Sequence, residues 1–252
     1  DDGNPAFLYS KELPERLSAN WMNTIIAGRR NMIEKHGSNG KSYYVVPYAV
    51  QKKMQGFYSK KLFIYKDDES NDFESVLKSA EECVRKFGCK LIVLDNLMML
   101  DLKCNESDKN TAQTNLINLL IKFAVKFNVS VVLIAHPRKT QDNNSDIEMY
   151  DIAGSSNIIN LAMRSIGLRR VSKKEKNDPK CKWKNYDVVL TIMKDRMFGK
   201  SDMQIGLWYD LISRRFYTDY AEYDKQFGWD KNVYTDKLSY IDRSQEEVFP
   251  DK

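Results

Sequence analysis

Short runs of apolar residues, many of them β-branched or aromatic, alternate along the chain with longer stretches in which apolar residues recur at helical spacing. Such runs occur at residues 6–9, 62–65, 91–94 and 130–135, and each has the length of a strand. Because these runs are apolar at every position except Ser130, they indicate strands that are buried on both faces, as in a parallel sheet. The pattern therefore predicts an α/β fold with a mostly parallel central sheet flanked by helices.

Helical spacing fills the stretches between these runs. A helix is predicted over residues 14–34, and its apolar face would be formed by Leu17, Trp21, Ile25 and Met32. A second helix is expected to begin after an N-cap at Asp72 and to end at Gly88. The apolar positions of a third helix are Leu116, Leu119, Leu120, Phe123 and Phe127. Residues 37–61 follow neither period and are expected to be loosely structured.

The C-terminal third of the chain predicts a different arrangement. A polar loop at residues 137–150 leads to a short helix at residues 155–162, and strands are expected at residues 165–171, 187–193, 203–209 and 214–217. A basic linker, residues 172–185, separates the first two of these strands. It is expected to be a long solvated hairpin loop, with a DNA contact as the alternative. Antiparallel strands are therefore expected at this end of the molecule.

The composition supports a folded protein. The 252 residues are 42% hydrophobic and 30% charged. No apolar run approaches the ~18–20 residues that cross a bilayer, and Asp1 and Asp2 do not resemble a secretory signal, so no membrane association is expected. The four cysteines form no C-x-x-C pair and lie far from both histidines, which argues against a zinc site and favours reduced thiols.

The charge is unevenly distributed. Residues 218–252 contain nine acidic and five basic side chains, which gives them a net charge of −4. Because the whole chain has a net charge of +5, residues 1–217 have a net charge of +9. We therefore expect a main domain over residues 1–217 and an acidic, aromatic extension over residues 218–252. A basic body is compatible with a polyanionic ligand such as nucleic acid.

Two strand ends contain the strongest chemical signals. The run at residues 91–94 ends in Asp95 and Asn96, which places a carboxylate at the edge where open α/β sheets bind ligands. Such a carboxylate can hold Mg²⁺, commonly through a water, or it can simply cap a loop. The run at residues 130–135 ends in His136. If the two strands are neighbours, His136 and Asp95 emerge at the same edge and could contact a phosphate.

A Gly-Lys-Ser sequence at residues 40–42 resembles the end of a phosphate-binding P-loop. The full motif requires a glycine where this chain has Lys35, and it requires a strand before the loop and a helix after it. Here a predicted helix precedes the loop, and β-prone residues follow it. We therefore interpret residues 37–42 as a surface loop.

Five segments resemble, in order, the motifs of ring-shaped replicative helicases. They are residues 9–14 (Tyr-Ser-Lys-Glu-Leu-Pro), 91–97 (Leu-Ile-Val-Leu-Asp-Asn-Leu), 136–139 (His-Pro-Arg-Lys), 151–156 (Asp-Ile-Ala-Gly-Ser-Ser) and 194–196 (Lys-Asp-Arg). The family includes bacterial DnaB, phage primase-helicases and mitochondrial Twinkle, and the chain looks closest to the Twinkle-like and phage branches. The resemblance spans residues 6–217 and implies a RecA-like fold.

The resemblance also implies roles for individual residues. Glu12 would polarise the attacking water, Asp95, with Asn96 beside it, would position Mg²⁺ and the nucleotide, and His136 would sense the γ-phosphate. Lys194 and Arg196 would act in the site of a neighbouring subunit. The residues implied to contact DNA are Arg138, Lys139, Gly154, Ser155 and Ser156.

The implied activity is NTP-driven translocation on single-stranded DNA by a hexameric ring, with ATP or dTTP and Mg²⁺ as cofactors. A DNA polymerase or a primase is a possible partner, and the location would be the bacterial or phage-infected cytoplasm or the mitochondrial matrix. The family's P-loop and its strand precede the segment that contains Glu12, so residues 1–252 alone are expected to be inactive. The alternatives are a RecA-like recombinase or other ring ATPase, and a non-catalytic fragment that binds DNA or a partner.

The acidic extension lies beyond the resemblance. Its aromatic residues are too numerous for a merely solubilising tail. We expect residues 220–229 to pack on the body and residues 239–252 to bind a partner protein.

Overall fold

The computed structural model describes residues 3–66, 68–136, 157–199, 201–219, 222–223 and 225–230. The helices and strands of these residues are, in chain order, β1 (Ala6–Ser10), α1 (Glu15–Ala27), β2 (Ile33–His36), β3 (Ser42–Val45), α2 (Tyr48–Tyr58), β4 (Leu62–Ile64), α3 (Phe73–Phe87), β5 (Leu91–Asp95), α4 (Lys109–Phe127), β6 (Ser130–Leu133), α5 (Asn157–Leu161), β7 (Arg164–Arg170), α6 (Lys173–Asn177), β8 (Val188–Asp195), β9 (Met203–Tyr209) and β10 (Phe216–Tyr217).

The first sheet has the strand order β4-β1-β5-β6, and each neighbouring pair is parallel. Helices α3 and α4 pack against this sheet and bury one continuous core. The core residues with the least exposed surface are Tyr9, Val76, Ala80, Cys89, Ile92, Leu94 and Leu116. The prediction of an α/β fold with a parallel central sheet is therefore confirmed.

The ends of α3 are those that the sequence predicts. The side chain of Asp72 accepts a hydrogen bond from the N–H of Ser75 at 3.2 Å, which satisfies one of the unpaired donors of the first turn. Gly88 follows the last turn in a left-handed conformation with φ of 69°. Between them the helix places Phe73, Val76 and Ala80 in the core.

The predicted helix over residues 14–34 is wrong in its length and its buried face. Helix α1 ends at Ala27, and Gly28, with φ of 70°, turns the chain into a 3₁₀ turn and then β2. Leu17 and Trp21 remain 46% and 42% exposed, since α1 instead packs Ala27 toward α2. Helix α2 lies in the stretch that was expected to be loosely structured, so that expectation is also wrong.

The Gly-Lys-Ser sequence lies in the turn of an antiparallel hairpin, β2 with β3. Backbone N–H groups of Gly37 and Gly40 donate to carbonyl groups inside this turn, and the N–H of Lys41 donates to the side chain of Asn39. These donors are therefore not free to hold a phosphate. The interpretation of residues 37–42 as a surface loop is confirmed.

The second sheet is antiparallel, with the strand order β10-β9-β8-β7. It confirms the antiparallel strands expected at the C-terminal end. The connection between β7 and β8 is not the plain hairpin loop that was expected, because it contains α6. The side chains of Ser172 and Glu175 form a reciprocal capping box at the start of this helix.

Arg215, just before the acidic extension, and Trp229 within it both contact the end of α1. Arg215 donates to the carbonyl groups of Ile25 and Ile26, and the indole N–H of Trp229 donates to Ile26 at 3.1 Å. Gly28 makes room for this contact, because a Cβ there would lie 2.7 Å from the Arg215 guanidinium. The packing expected for residues 220–229 is thus confirmed for Tyr223, Lys225, Phe227 and Trp229. Residues 239–252 lie outside the described residues, and the domain boundary after residue 217 stays a prediction.

All four cysteines are free thiols, as expected. Burial raises the pKa of Cys89 to about 11. None of the described helices combines the length and the apolar character that crossing a bilayer requires.

Gly206 provides a test of the second sheet. It lies in β9 beneath the ring of Tyr186, and an added Cβ would lie 2.5 Å from that ring. Gly206→Ala should lower the free energy of unfolding by ~1–3 kcal/mol, because the ring or the strand must move. Gly56→Ala is the matched control: it lies in α2 with open space around an added Cβ and should raise that free energy by ~0.4–1 kcal/mol. Urea titration measures both changes, and a Gly206→Ala protein of unchanged stability would contradict this packing.

Candidate functional site

The carboxyl ends of β1, β5 and β6 meet at one edge of the first sheet. Parallel pairing aligns Ser10 with Asp95 and Leu94 with Leu133, so residues that follow these strands emerge side by side. Glu12, Asn96 and His136 occupy these positions. The prediction that His136 and Asp95 lie at the same edge is confirmed.

Asn96 joins the other two side chains. It is 2% exposed, and its amide nitrogen lies 2.9 Å from Oε2 of Glu12 and 2.9 Å from Nε2 of His136. The amide oxygen accepts a hydrogen bond from the N–H of Met98 at 2.9 Å, which fixes which end of the amide faces the pair. Because the amide nitrogen only donates, Nε2 of His136 is the acceptor, and a neutral His136 carries its proton on Nδ1.

The two outer side chains are close to each other as well. Oε2 of Glu12 lies 3.4 Å from Nε2 of His136, and both side chains are about half exposed. A shared buried amide with two accessible partners can transmit a displacement from one partner to the other.

Asp95 lies next to this cluster and is held by β1. The hydroxyl of Ser10 donates to Oδ2 of Asp95 at 3.1 Å, and the N–H of Lys11 donates to its carbonyl oxygen at 3.3 Å. Ser10 is buried, whereas Asp95 is half-buried. Sequence reasoning missed Ser10, although the last residue of a strand paired with the Asp95 strand is where such a partner is expected.

Two further bonds hold the loops behind the cluster. The N–H of Leu97 donates to the carbonyl of Ile134 at 2.8 Å, which ties the residues after β5 to those after β6. The Tyr9 hydroxyl donates to the carbonyl of Met99 at 2.9 Å, and burial raises the pKa of Tyr9 to about 12. Tyr9 therefore stays protonated and remains a donor at neutral pH.

The oxygen atoms of Asp95 and Ser10 are too few to bind a cation such as Mg²⁺ by themselves, so waters or a bound phosphate would have to supply the other ligands. Within the described ranges, no group of three or more His, Cys, Asp or Glu side chains could hold a metal ion. Mg²⁺ is commonly bound by one or two carboxylates, with waters and substrate phosphates completing its shell. The Asp95 carboxylate and the Ser10 hydroxyl are compatible with that kind of site.

Lys194 and Arg196 lie together elsewhere, at the end of β8. The Lys194 ammonium donates to the carbonyls of Ile159 and Asn160 at 2.7 and 2.8 Å, and the Arg196 guanidinium donates to Asn160 at 2.6 Å. Both side chains thus point to one face, as predicted. Desolvation, with the nearby charge of Arg196, lowers the pKa of Lys194.

Asp195, between these two residues, fixes the turn that follows β8. It is 9% exposed and accepts hydrogen bonds from Arg164 at 2.9 Å and from the N–H groups of Met197 and Phe198. Sequence reasoning missed this pair. Its signal was the alternation of Lys194, Asp195 and Arg196, which turns the acidic side chain inward when the two basic ones point outward.

The described residues contain two separate groups of predicted site residues. No hydrogen bond or ion pair among them links the Glu12, Asn96 and His136 cluster to Lys194 or Arg196. The remaining predicted residues, Arg138, Lys139, Gly154, Ser155 and Ser156, lie outside the described residues.

No protein-family model matches the chain, and no curated protein matches it by sequence. Two solved structures have a similar fold. The ATPase domain of G40P superposes with a TM-score of 0.66 and 17% identity over 87% of this chain and 76% of that one. A DnaB-like replicative helicase, described with its interactions with primase, gives 0.66 and 15% over 86% of this chain and 52% of that one. The RecA-like fold prediction is confirmed, and the chain spans about half of the second protein.

Asn96 offers a test of the cluster. Asn96→Ala should lower the free energy of unfolding by ~1–3 kcal/mol, because it removes a buried group that satisfies several partners. The exposed Asn105 is the control, and Asn105→Ala should stay within ~0.5 kcal/mol of wild type.

Long-range ¹H–¹⁵N spectra of neutral His136 should show the Nδ1–H tautomer in wild type and a mixture in Asn96→Ala. An Nε2–H tautomer in wild type would contradict the hydrogen bond from Asn96.

Proposed function

We propose that this chain is the motor core of a ring-shaped replicative DNA helicase that couples NTP hydrolysis to translocation on single-stranded DNA and to duplex unwinding. The observation that carries the proposal is the cluster of Glu12, Asn96 and His136 beside Asp95, at the carboxyl ends of parallel strands. The fold likeness to an ATPase domain and to a DnaB-like replicative helicase supports it. Within this family we place the chain near the Twinkle-like and phage branches.

Glu12 is the proposed general base. Its carboxylate is accessible and accepts a hydrogen bond from Asn96, which holds it toward the edge where a nucleotide phosphate and its attacking water would lie. Asn96 is also proposed to position Glu12 and His136, because its buried amide contacts both side chains.

His136 is the proposed sensor of the terminal phosphate. It begins the chain segment after β6, and its ring shares the Asn96 amide with Glu12. A phosphate that moved the ring would therefore also move the base. Loss of the phosphate after hydrolysis would be transmitted to the segment that starts at residue 137, where the DNA contacts Arg138 and Lys139 are proposed.

The proposed nucleotide is ATP or dTTP, with Mg²⁺ held at Asp95 and Ser10. The bound cation would neutralise charge that develops on the phosphates. Ser10 keeps the Asp95 carboxylate in one orientation through the 3.1 Å hydrogen bond.

We further propose that the phosphate-cradling loop comes from a polypeptide segment outside residues 1–252. Among the described residues β6 is an edge strand of the first sheet, and its Val132 and the following Ile134 are 45% and 38% exposed. An apolar edge strand of this kind favours pairing with a further strand. A strand paired there would end beside Asp95 and His136, so a phosphate-binding loop after it would complete the site.

Lys194 and Arg196 are proposed to act in the site of a neighbouring subunit, which requires a ring, hexameric by analogy. In the single chain their charged groups donate hydrogen bonds to backbone carbonyl groups at the end of α5. An anionic phosphate makes stronger hydrogen bonds to a cation than a neutral carbonyl does, so the exchange is favourable in an assembly.

The remaining proposals follow from the same function. Gly154, Ser155 and Ser156 would contact single-stranded DNA together with Arg138 and Lys139. A polymerase or a primase is the proposed protein partner. The bacterial or phage-infected cytoplasm, or the mitochondrial matrix, is the proposed location.

The first test concerns the incomplete site. Residues 1–252 should not hydrolyse ATP or dTTP, because none of the residues that the structure describes forms a phosphate-cradling loop beside Asp95. A longer polypeptide that adds a strand, a P-loop and a helix upstream should hydrolyse nucleotide with stimulation by DNA. Phosphate-release assays compare the two proteins, and Asp95→Asn in the longer protein is the background control. Robust turnover by residues 1–252 would contradict this account.

The second test concerns the site between subunits. In the longer protein, Arg196→Ala should reduce hydrolysis by ~10³–10⁵ while nucleotide binding is largely kept, since a basic finger acts on the transition state. Arg85→Ala, on the exposed side of α3, should hydrolyse at the wild-type rate.

Mixed rings extend this test. Rings formed from Arg196→Ala and Glu12→Ala subunits should regain part of the activity, because some interfaces combine an intact base with an intact finger. Confirmed mixed rings that remain inactive would argue against a shared site.

A further inference from the structure

The connection between β7 and β8 contains an ordered group of lysines. A plain hairpin needs ~2–5 residues, whereas this connection spans residues 171–187. Five of its side chains, which we call the lysine patch, are Lys173, Lys174, Lys180, Lys182 and Lys184.

Side-chain contacts hold this connection in one conformation. The Ser172–Glu175 capping box starts α6, and Arg169 pairs with Glu175 at 3.0 Å, where both side chains are largely buried. Farther along, the indole N–H of Trp208 on β9 donates to the carbonyl of Asn185 at 2.9 Å. The lysines are therefore displayed from a fixed backbone and not from a loose loop.

Two of the three acids in this connection have cationic partners, and the third, Asp178, accepts a hydrogen bond from the backbone N–H of Lys180 at 2.9 Å. Glu175 pairs with Arg169, and Asp187 pairs with Lys176 at 2.6 Å. Within the described residues, no member of the lysine patch forms an ion pair; Lys182 and Lys184 donate only to the neutral oxygens of Gln204 and Pro179. Residues 171–187 contain six lysines and three acids, a net charge of +3, and a polyanion would neutralise this excess of positive charge.

Aromatic rings lie beneath part of the patch. Trp183, Tyr186 and Trp208 form a row with ring centroids 6.0 and 4.9 Å apart, and the Lys182 ammonium lies 4.5 Å from the Trp183 ring. All three rings are half-buried, so part of each remains accessible. Cations beside accessible aromatic rings are the combination that single-stranded nucleic acid requires, because phosphates bind the cations and bases stack on the rings.

We propose that the lysine patch is a second binding surface for single-stranded nucleic acid, separate from the segment that follows β6. It contacts the phosphate backbone without reading sequence, and Trp183 stacks a base. The proposal rests on the proposed function only in its choice of nucleic acid as the polyanion. Its residues lie entirely on the second sheet and its β7–β8 connection.

The test replaces all five lysines of the patch by glutamine in residues 1–252. Binding of fluorescent oligothymidylate is titrated at several salt concentrations. The salt slope should fall by up to about 3.5, since each phosphate contact to a single strand contributes ~0.7. The matched control replaces five exposed helix-region lysines, Lys52, Lys53, Lys60, Lys78 and Lys122, and it should keep the wild-type slope. Equal slopes in the two variants would overturn the proposal.

Thiol protection locates the contact independently. Cys181 lies inside the patch, and Cys104 is an exposed thiol outside it. Oligothymidylate should slow alkylation of Cys181 relative to that of Cys104. Equal alkylation of Cys181 with and without saturating oligothymidylate would place the nucleic acid elsewhere.

A third variant separates this proposal from the proposed function. Arg138→Ala with Lys139→Ala should lower the salt slope by up to ~1.4 and leave the protection of Cys181 intact. If that variant loses binding while the lysine-patch variant binds like wild type, the second surface is refuted and the helicase function stands. If wild-type residues 1–252 fail to bind oligothymidylate at all, the lysine-patch proposal fails, whereas the helicase function is decided by the hydrolysis assays on the longer protein.

Discussion

The parallel pairing of β1, β5 and β6 is the constraint on which the site depends. A parallel strand needs a long crossover before the next one, and here the crossovers contain α3 and α4, which bury the faces of the sheet. Because the three strands run in the same direction, their carboxyl ends lie at one edge of the sheet. Ser10, Asp95 and the Glu12, Asn96 and His136 cluster come from parts of the sequence up to 126 residues apart, and the register alone brings them together.

The parts of the fold that sequence predicts are those with local causes. Apolar runs identify the strands of the first sheet, and Asp72 and Gly88 mark the ends of α3 because each acts on adjacent backbone. The course of residues 28–61 could not be read in this way. Gly28 leaves the helix with φ of 70°, and only glycine fits there, because Arg215, which is distant in sequence, occupies the space where a Cβ would be. Leu17 and Trp21 have helical spacing but stay exposed, since Ala27 is the residue that packs toward α2.

In the candidate site, too, the features with local causes are predictable from sequence, and those that depend on distant packing are not. Asp95 and His136 follow buried strands, so their shared edge is predictable from sequence. The central position of Asn96 is not, because it depends on which side chains face inward after two different strands. Lys194 and Arg196 alternate on β8, which predicts their common face. Their contact with the carbonyls of α5 depends on the docking of a short helix, where the partial negative charge of a helix terminus attracts cations.

The packing of the C-terminal segment on α1 affects the order in which the chain can fold. Asn31 donates to Asp230 across 199 residues, and Trp229 donates to Ile26 across 203. At ~5–20 residues per second, a ribosome takes roughly 10–40 s to add these partners after α1 emerges. During that interval α1 and α2 lack the contacts that cover the end of α1, whereas β1, β4 and β5 can already pair. The end of α1, although it is among the first residues made, therefore reaches its final packing only after residues 229 and 230 have been added.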